Sequence, residues 1–170
     1  ISIPEIYIDD VRIFPDIKNE NAKVIISIRN PHNIDFKGNI RLRIAGVNTA
    51  HRNRYRQKTV TIVTKSDDQQ VSITYPVRKA GLWSEFTPVV YKTDVKLYDA
   101  RGRLTDIVTE YFGMRDFRAR GTMFEVNGKP VFMRGTTDCC IFPLTGYPPT
   151  DLESWKRIMQ TYKEWGLNHV

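Results

Sequence analysis

Residues 124–140 read FEVNGKPVFMRGTTDCC, and the architecture changes character across them. Asn127-Gly128 tolerates positive φ at both positions, the signature of a two-residue hairpin turn. It predicts short strands over residues 123–126 and 131–134. Pro130 has no backbone N–H, so it should face away from the pairing. A loop rich in Thr, Pro and Gly follows over 136–149, and then the period becomes helical. Leu152, Trp155, Ile158, Met159, Tyr162 and Trp165 fall on one helix face. Thr150 with Glu153 three residues later reads as a capping box, and Gly166 stands at the favoured stop position. Residues 167–170 read as the opening of another strand. Strand, loop, helix, strand is one β-α unit and the start of a second. Such a unit cannot bury its own apolar face, so the chain is expected to be cut inside a larger α/β domain.

Upstream the period is two throughout, over about seven strands. Residues 5–14 carry Ile6, Ile8, Val11 and Ile13, with an irregularity expected at Asp9-Asp10. Residues 23–29 carry Val24, Ile26 and Ile28, and 39–45 carry Ile40, Leu42 and Ile44 with Arg41 and Arg43 outward. Val60 and Ile62 mark 58–64; Val71, Ile73 and Tyr75 mark 70–77; Tyr91, Val95 and Leu97 mark 89–98. In 106–114 the inward set is read as Ile107, Thr109 and Tyr111. Turn signals such as Asn30-Pro31, Lys37-Gly38 and Arg101-Gly102 separate most of the strands. Short alternating strands with no helix between them predict an immunoglobulin-like β-sandwich over 1–116. No cysteine pair could bridge its sheets, so its core must rest on packing. Trp83 is expected to cover one end.

Composition narrows the function. The chain has 41% hydrophobic and 26% charged residues, an ordinary globular balance, and no apolar run long enough to span a membrane. It lacks a starting Met and a signal-like N-terminus, which fits an excised or processed chain and leaves periplasmic, extracellular and cytoplasmic locations open. The net charge is +7, with the densest basic run at His51-Arg52-Asn53-Arg54-Tyr55-Arg56-Gln57-Lys58. That run reads as a solvated loop, because no nucleic-acid motif accompanies it. Cys139 and Cys140 are adjacent, so they neither bond to each other nor make a metal spacing. A buried free thiol and a thiol lining a pocket both remain open for them. No metal or other cofactor is called for.

Four segments in order carry a family likeness: GLWSEFTPVVYKTDVKLYD, EYFGMRDF, FEVNGKPVFMRGTTD and GYPPTDLESWKRIMQTYKEWGLNHV. The chain resembles glycoside hydrolase family 2, which includes β-galactosidases, β-mannosidases and β-glucuronidases. The resemblance implies a sandwich ending in Phe112-Gly113-Met114-Arg115, then the hairpin, the first strand, the loop and the first helix of a (β/α)8 barrel over 117–170. It implies a retaining O-glycosyl hydrolase whose two carboxylates lie on later barrel strands, so no catalytic residue is assigned within 1–170. Glu153 and Glu164 sit on the helix and read as solvated. The loop after the first barrel strand faces the active site. Family members commonly carry Val-Asn-Arg-His-Glu there after Arg-Gly, whereas this chain has Thr136, Thr137, Asp138, Cys139 and Cys140. A galactosidase assignment therefore does not carry over. Thr137, Asp138 and Cys139 are the candidate substrate-binding residues, and Arg134 is expected to be structural, paired with a barrel carboxylate.

The implied partners are a carbohydrate substrate, an upstream sugar-binding-like domain and the rest of the barrel. The basic run would contact that domain or a second subunit of a homo-oligomer; neither nucleic acid nor membrane is expected. The alternative is a non-catalytic sandwich module that binds carbohydrate or protein.

Overall fold

A computed structural model describes residues 4–49, 55–139 and 141–170. The protein is mainly β, with one C-terminal helix. Two compact units divide it at one point: Ile1–Asp116 and Phe117–Val170.

The first unit holds seven strands: β1 (Tyr7–Asp16), β2 (Asn21–Arg29), β3 (Phe36–Gly46), β4 (Lys58–Thr64), β5 (Asp68–Pro76), β6 (Tyr91–Asp99) and β7 (Leu104–Phe112). They form an antiparallel sheet β1-β2-β5 and an antiparallel sheet β4-β3-β6-β7. The fourth strand thus joins β3, not β5, unlike the partition of an antibody constant domain. Period-two patterning explains the core. Val24, Ile26 and Ile28 of β2, Ile40, Leu42 and Ile44 of β3, and Tyr91, Val95 and Leu97 of β6 are all buried in one cluster shared by both sheets. Each buried aliphatic side chain contributes about 1.5–3 kcal/mol relative to exposure. Arg41 points outward as the alternation requires, its guanidinium 4.1 Å from the Tyr98 ring centroid. In β1 the register slips between Ile8 and Asp10, where the acidic pair was expected to disturb the strand. The Ile8 N–H there donates to the Asp106 carboxylate at 2.8 Å, tying the β1 edge to the β7 edge.

The inward face of β7 departs from the sequence reading. Val95 pairs with Val108 and Tyr91 with Phe112, so Val108 and Phe112 share the core face. Ile107 and Tyr111 are 48% and 60% exposed. The physical reason is register. Neighbours directly across a ladder share a face, and the shift at Leu97/Tyr98 sets which residues of β7 oppose the buried ones. An edge strand whose two faces are both rich in apolar and β-branched residues does not disclose its parity by itself.

The motif Phe112-Gly113-Met114-Arg115 closes this unit, with each residue in a distinct role. The Phe112 ring lies 5.6 Å from that of Tyr91. Met114 is buried, and its carbonyl accepts from the Trp83 N–H at 2.9 Å. Arg115 covers the Trp83 ring at 4.7 Å. Gly113 has no room for a side chain: a Cβ would sit 2.8 Å from the Cβ of Trp83. Trp83 is half-buried beside the strand end, held by three residues of the motif.

The second unit begins with a three-stranded antiparallel sheet, ordered β10-β9-β8: β8 (Phe117–Arg120), β9 (Met123–Val126) and β10 (Lys129–Val131). Asn127 and Gly128 have φ of 54° and 74°, as the two-residue turn demands. Val126 and Lys129 flank that turn, so the next pair, Glu125 with Pro130, is the non-hydrogen-bonded kind. Pro130 therefore loses nothing by lacking an N–H. The strand expected over 131–134 ends instead at Val131. Helix α1 (Leu152–Glu164) follows, and a parallel bridge joins Gly135 to His169 across it.

The cap of α1 lies one residue later than the sequence suggested. Asp151, not Thr150, is the N-cap, its carboxylate accepting from the Ser154 N–H at 2.8 Å. Glu153 pairs with Lys156 rather than reaching back. An anionic cap satisfies the orphan N–H and also faces the positive helix end, an advantage a threonine hydroxyl lacks. At the other end, Gly166 (φ 77°) ends the helix with Gly166 N–H on Lys163 O and Leu167 N–H on Tyr162 O, a Schellman pair. No residue of α1 is fully buried.

Candidate functional site

Within the second unit, polar side chains gather where the backbone passes from Arg134 into the loop. The segments 134–135 and 168–169 run side by side. Arg134 O accepts from the Asn168 N–H at 2.8 Å, and the Arg134 N–H donates to Asn168 Oδ1 at 2.9 Å. The Asn168 amide also donates to Phe132 O at 3.0 Å. The Arg134 guanidinium donates to Gly166 O at 2.7 Å and Phe132 O at 3.3 Å. Arg134 was expected to pair with a carboxylate; here it ties the end of the helix to the segment just after β10 through main-chain carbonyls.

Gly135 is where the Arg-Gly signature acquires a physical reason. A Cβ on it would fall 2.1 Å from Nε2 of His169, so the imidazole occupies the space any side chain would need. The His169 Nδ1 lies 3.2 Å from Asn168 Oδ1, which fixes the ring's edge. His169 was not among the residues singled out from the sequence. The available signal was its place at the start of a strand after a helix stop, since a parallel crossover returns it beside the first strand.

Thr137, Asp138 and Cys139 follow directly. Asp138 is half-buried, and its Oδ2 accepts from the Tyr162 hydroxyl at 3.2 Å, so helix α1 orients this carboxylate. Thr137 is exposed, and Cys139 is an exposed free thiol rather than a buried one. Cys140 lies outside the described residues. Further along the loop, Phe142 meets Trp155 edge-on at 6.1 Å, and the Trp155 indole N–H donates to Pro149 O at 2.8 Å. The loop is thereby held at both ends by α1. Glu153 and Glu164 are exposed on the helix, engaged with Lys156 and Gln160. Among the described residues, no three His, Cys, Asp or Glu side chains gather as a metal site would require. The Thr137 hydroxyl and Asp138 carboxylate, with the His169 imidazole against Gly135, can exchange hydrogen bonds with a polyhydroxylated ligand.

The chain is 31% identical over 106 residues to a β-galactosidase of Halalkalibacterium halodurans, covering 62% of this chain and 10% of that protein. It is 25% identical over 179 aligned positions to a β-galactosidase of Photobacterium profundum, covering 100% of this chain and 17% of that protein. The chain therefore spans a small part of the length of the curated relatives it matches. Among solved structures, a glycosyl hydrolase family 2 member from Bacteroides cellulosilyticus superposes with a TM-score of 0.84 at 19% identity, over 96% of this chain and 21% of that one. β-Glucuronidase 2 of Bacteroides uniformis gives 0.80 at 23% identity, over 98% and 21%. Residues 6–115 match the sequence model of glycosyl hydrolases family 2, nearly the whole of the seven-stranded unit, and the chain belongs to that family.

Proposed function

We propose that this chain is the sandwich and the opening of the (β/α)8 barrel of a retaining glycoside hydrolase acting on O-glycosidic bonds. The parallel bridge between Gly135 and His169 across α1 carries this reading, because strand, helix and parallel strand are the repeating unit of such a barrel. The apolar surface of the second unit supports it. Leu144, Trp165 and Phe132 are 99%, 82% and 77% exposed, more than a finished domain leaves open on so few residues. The remaining strands and helices of a barrel would cover them.

In this reading Thr137, Asp138 and Cys139 lie on the first loop at the C-terminal ends of the barrel strands and contact the sugar, with His169 beside them. Asp138, oriented by Tyr162, accepts from a sugar hydroxyl. The two carboxylates that carry out the cleavage stand on later strands, and the sandwich is a spacer that braces the barrel against an upstream domain. The experiment compares this chain with a polypeptide that contains it and a complete barrel, on a panel of aryl glycosides. Turnover by the longer polypeptide and none by this chain is expected. Turnover by this chain alone would overturn the division of roles. In the longer polypeptide, Asp138→Ala is expected to raise KM by about tenfold.

A further inference from the structure

The two long sides of the sandwich are not alike. On one side the β1 and β7 edges are joined by the Ile8–Asp106 hydrogen bond. On the other, the free edges of β4 and β5 stand apart around a cleft of about 830 Å³. Arg56, Lys58 and Arg78 line it together with Thr59, Val60 and Pro76, and among the described residues no carboxylate does. Among the described residues, none of the three cations makes an ion pair. Three like charges left unpaired around one concavity repel one another, and an anionic partner relieves that repulsion.

The chemistry of the walls narrows the partner. Tyr55 also lines the cleft, but its ring turns toward Tyr91 at 6.3 Å and packs against the core, whereas sugar recognition favours a free aromatic face. Strand addition is blocked as well. The Val77 N–H bonds Glu20 O, so by alternation Pro76 and Thr74 direct their backbones to the free edge. Pro76 has no donor to offer there, and Lys58 Nζ already occupies the Thr74 carbonyl at 2.5 Å. What the cleft presents is cationic side chains over aliphatic surface from Val60 and Pro76, with the buried Ile73 beneath.

We infer that the cleft between the β4 and β5 edges docks an acidic polypeptide segment, read by its side-chain carboxylates on Arg56, Lys58 and Arg78 with aliphatic residues between them. Bidentate guanidinium–carboxylate pairing supplies the specificity. This surface belongs to the first unit, and the inference does not rest on the function proposed for the second.

The test is fluorescence polarisation of a labelled peptide of alternating glutamate and valine, titrated with the whole chain. Binding that weakens with salt, and falls about tenfold or more in an Arg56→Glu/Arg78→Glu variant, is expected. Arg56→Lys/Arg78→Lys should bind more weakly than the native chain but well above the reversed variant, because charge remains and the fork is lost. Both arginines are exposed, and circular dichroism verifies that each variant folds. Absence of binding overturns the inference. So does equal affinity for a lysine–valine peptide. Displacement of the peptide by an equally charged single-stranded oligonucleotide at the same concentration would mark the cleft as a general polyanion patch, and overturns it too.

Discussion

The seven-stranded unit and the unit that follows it put similar proportions of apolar residues to different ends. In the first, Ile, Val, Leu and Tyr side chains from facing sheets meet in one buried cluster. In the second, none of the described residues is buried: Trp155, Ile158 and Tyr162 are half-covered, while Leu152, Met159 and Trp165 of the same helix face remain exposed. The difference is geometric. Two sheets are each apolar on one face and cover each other. One helix and a small hairpin sheet have too little facing area to do the same. An amphipathic pattern is thus evidence of a surface that needs a partner, not evidence that the partner lies within the same stretch of chain.

The largest effect that tests this contrast is truncation on either side of it. Leu42→Ala opens a cavity in the shared core and is expected to cost about 2–5 kcal/mol in chemical denaturation. Leu152→Ala, at a position 68% exposed, should stay within about 0.5 kcal/mol. Equal losses at the two sites would erase the distinction between a finished core and an open face.

Gly113 provides the next effect. Gly113→Ala drives a methyl group against Trp83 and is expected to destabilise the sandwich by about 1–3 kcal/mol, with a shift in tryptophan fluorescence as the indole moves. A neutral outcome would mean that the close approach of Trp83 is not what keeps a glycine in the motif.

The smallest effect is a pH dependence confined to the finished core. Burial pushes the Tyr91 hydroxyl up to about 12, with the neighbouring Tyr55 adding to the rise. Burial also raises Tyr75. A raised folded-state value means the native chain keeps its proton while the unfolded chain releases it. The stabilisation is therefore complete below pH 10 and is lost as pH rises toward about 12. Denaturation midpoints should fall through that window, and Tyr91→Phe should flatten the fall, leaving a remainder from Tyr75. An unchanged slope in the variant would remove Tyr91 from the account.

Much of this was legible before any coordinates. Period two located the seven strands, Asn127-Gly128 located the hairpin turn, and Gly166 located the end of the helix, because each reflects a constraint that acts over a few residues. The β7 reading failed where the constraint was not local. Ile107 and Val108 are equally good strand residues, and only pairing with Val95 decides which one faces inward. The helix cap failed by one position because Thr150 and Asp151 can both cap, and only the backbone at Asp151, extended at φ −107° and ψ 147°, settles the choice.

The candidate site divides in the same way. Arg134-Gly135 and the Thr137–Cys139 stretch stood out in the sequence, whereas His169 did not. Its importance comes from lying over Gly135, a neighbour 34 positions away that the crossover brings into contact. The amino-acid order alone determined the strands, the turns, the helix and the family likeness, since these follow from backbone preferences and apolar spacing within short windows. Tertiary structure alone decided which face of β7 is buried, which residue caps α1, why Gly135 has no side chain, and that one side of the sandwich closes while the other stays open and cationic. Those outcomes depend on what stands across a ladder or a crossover, and that distance is invisible along the chain.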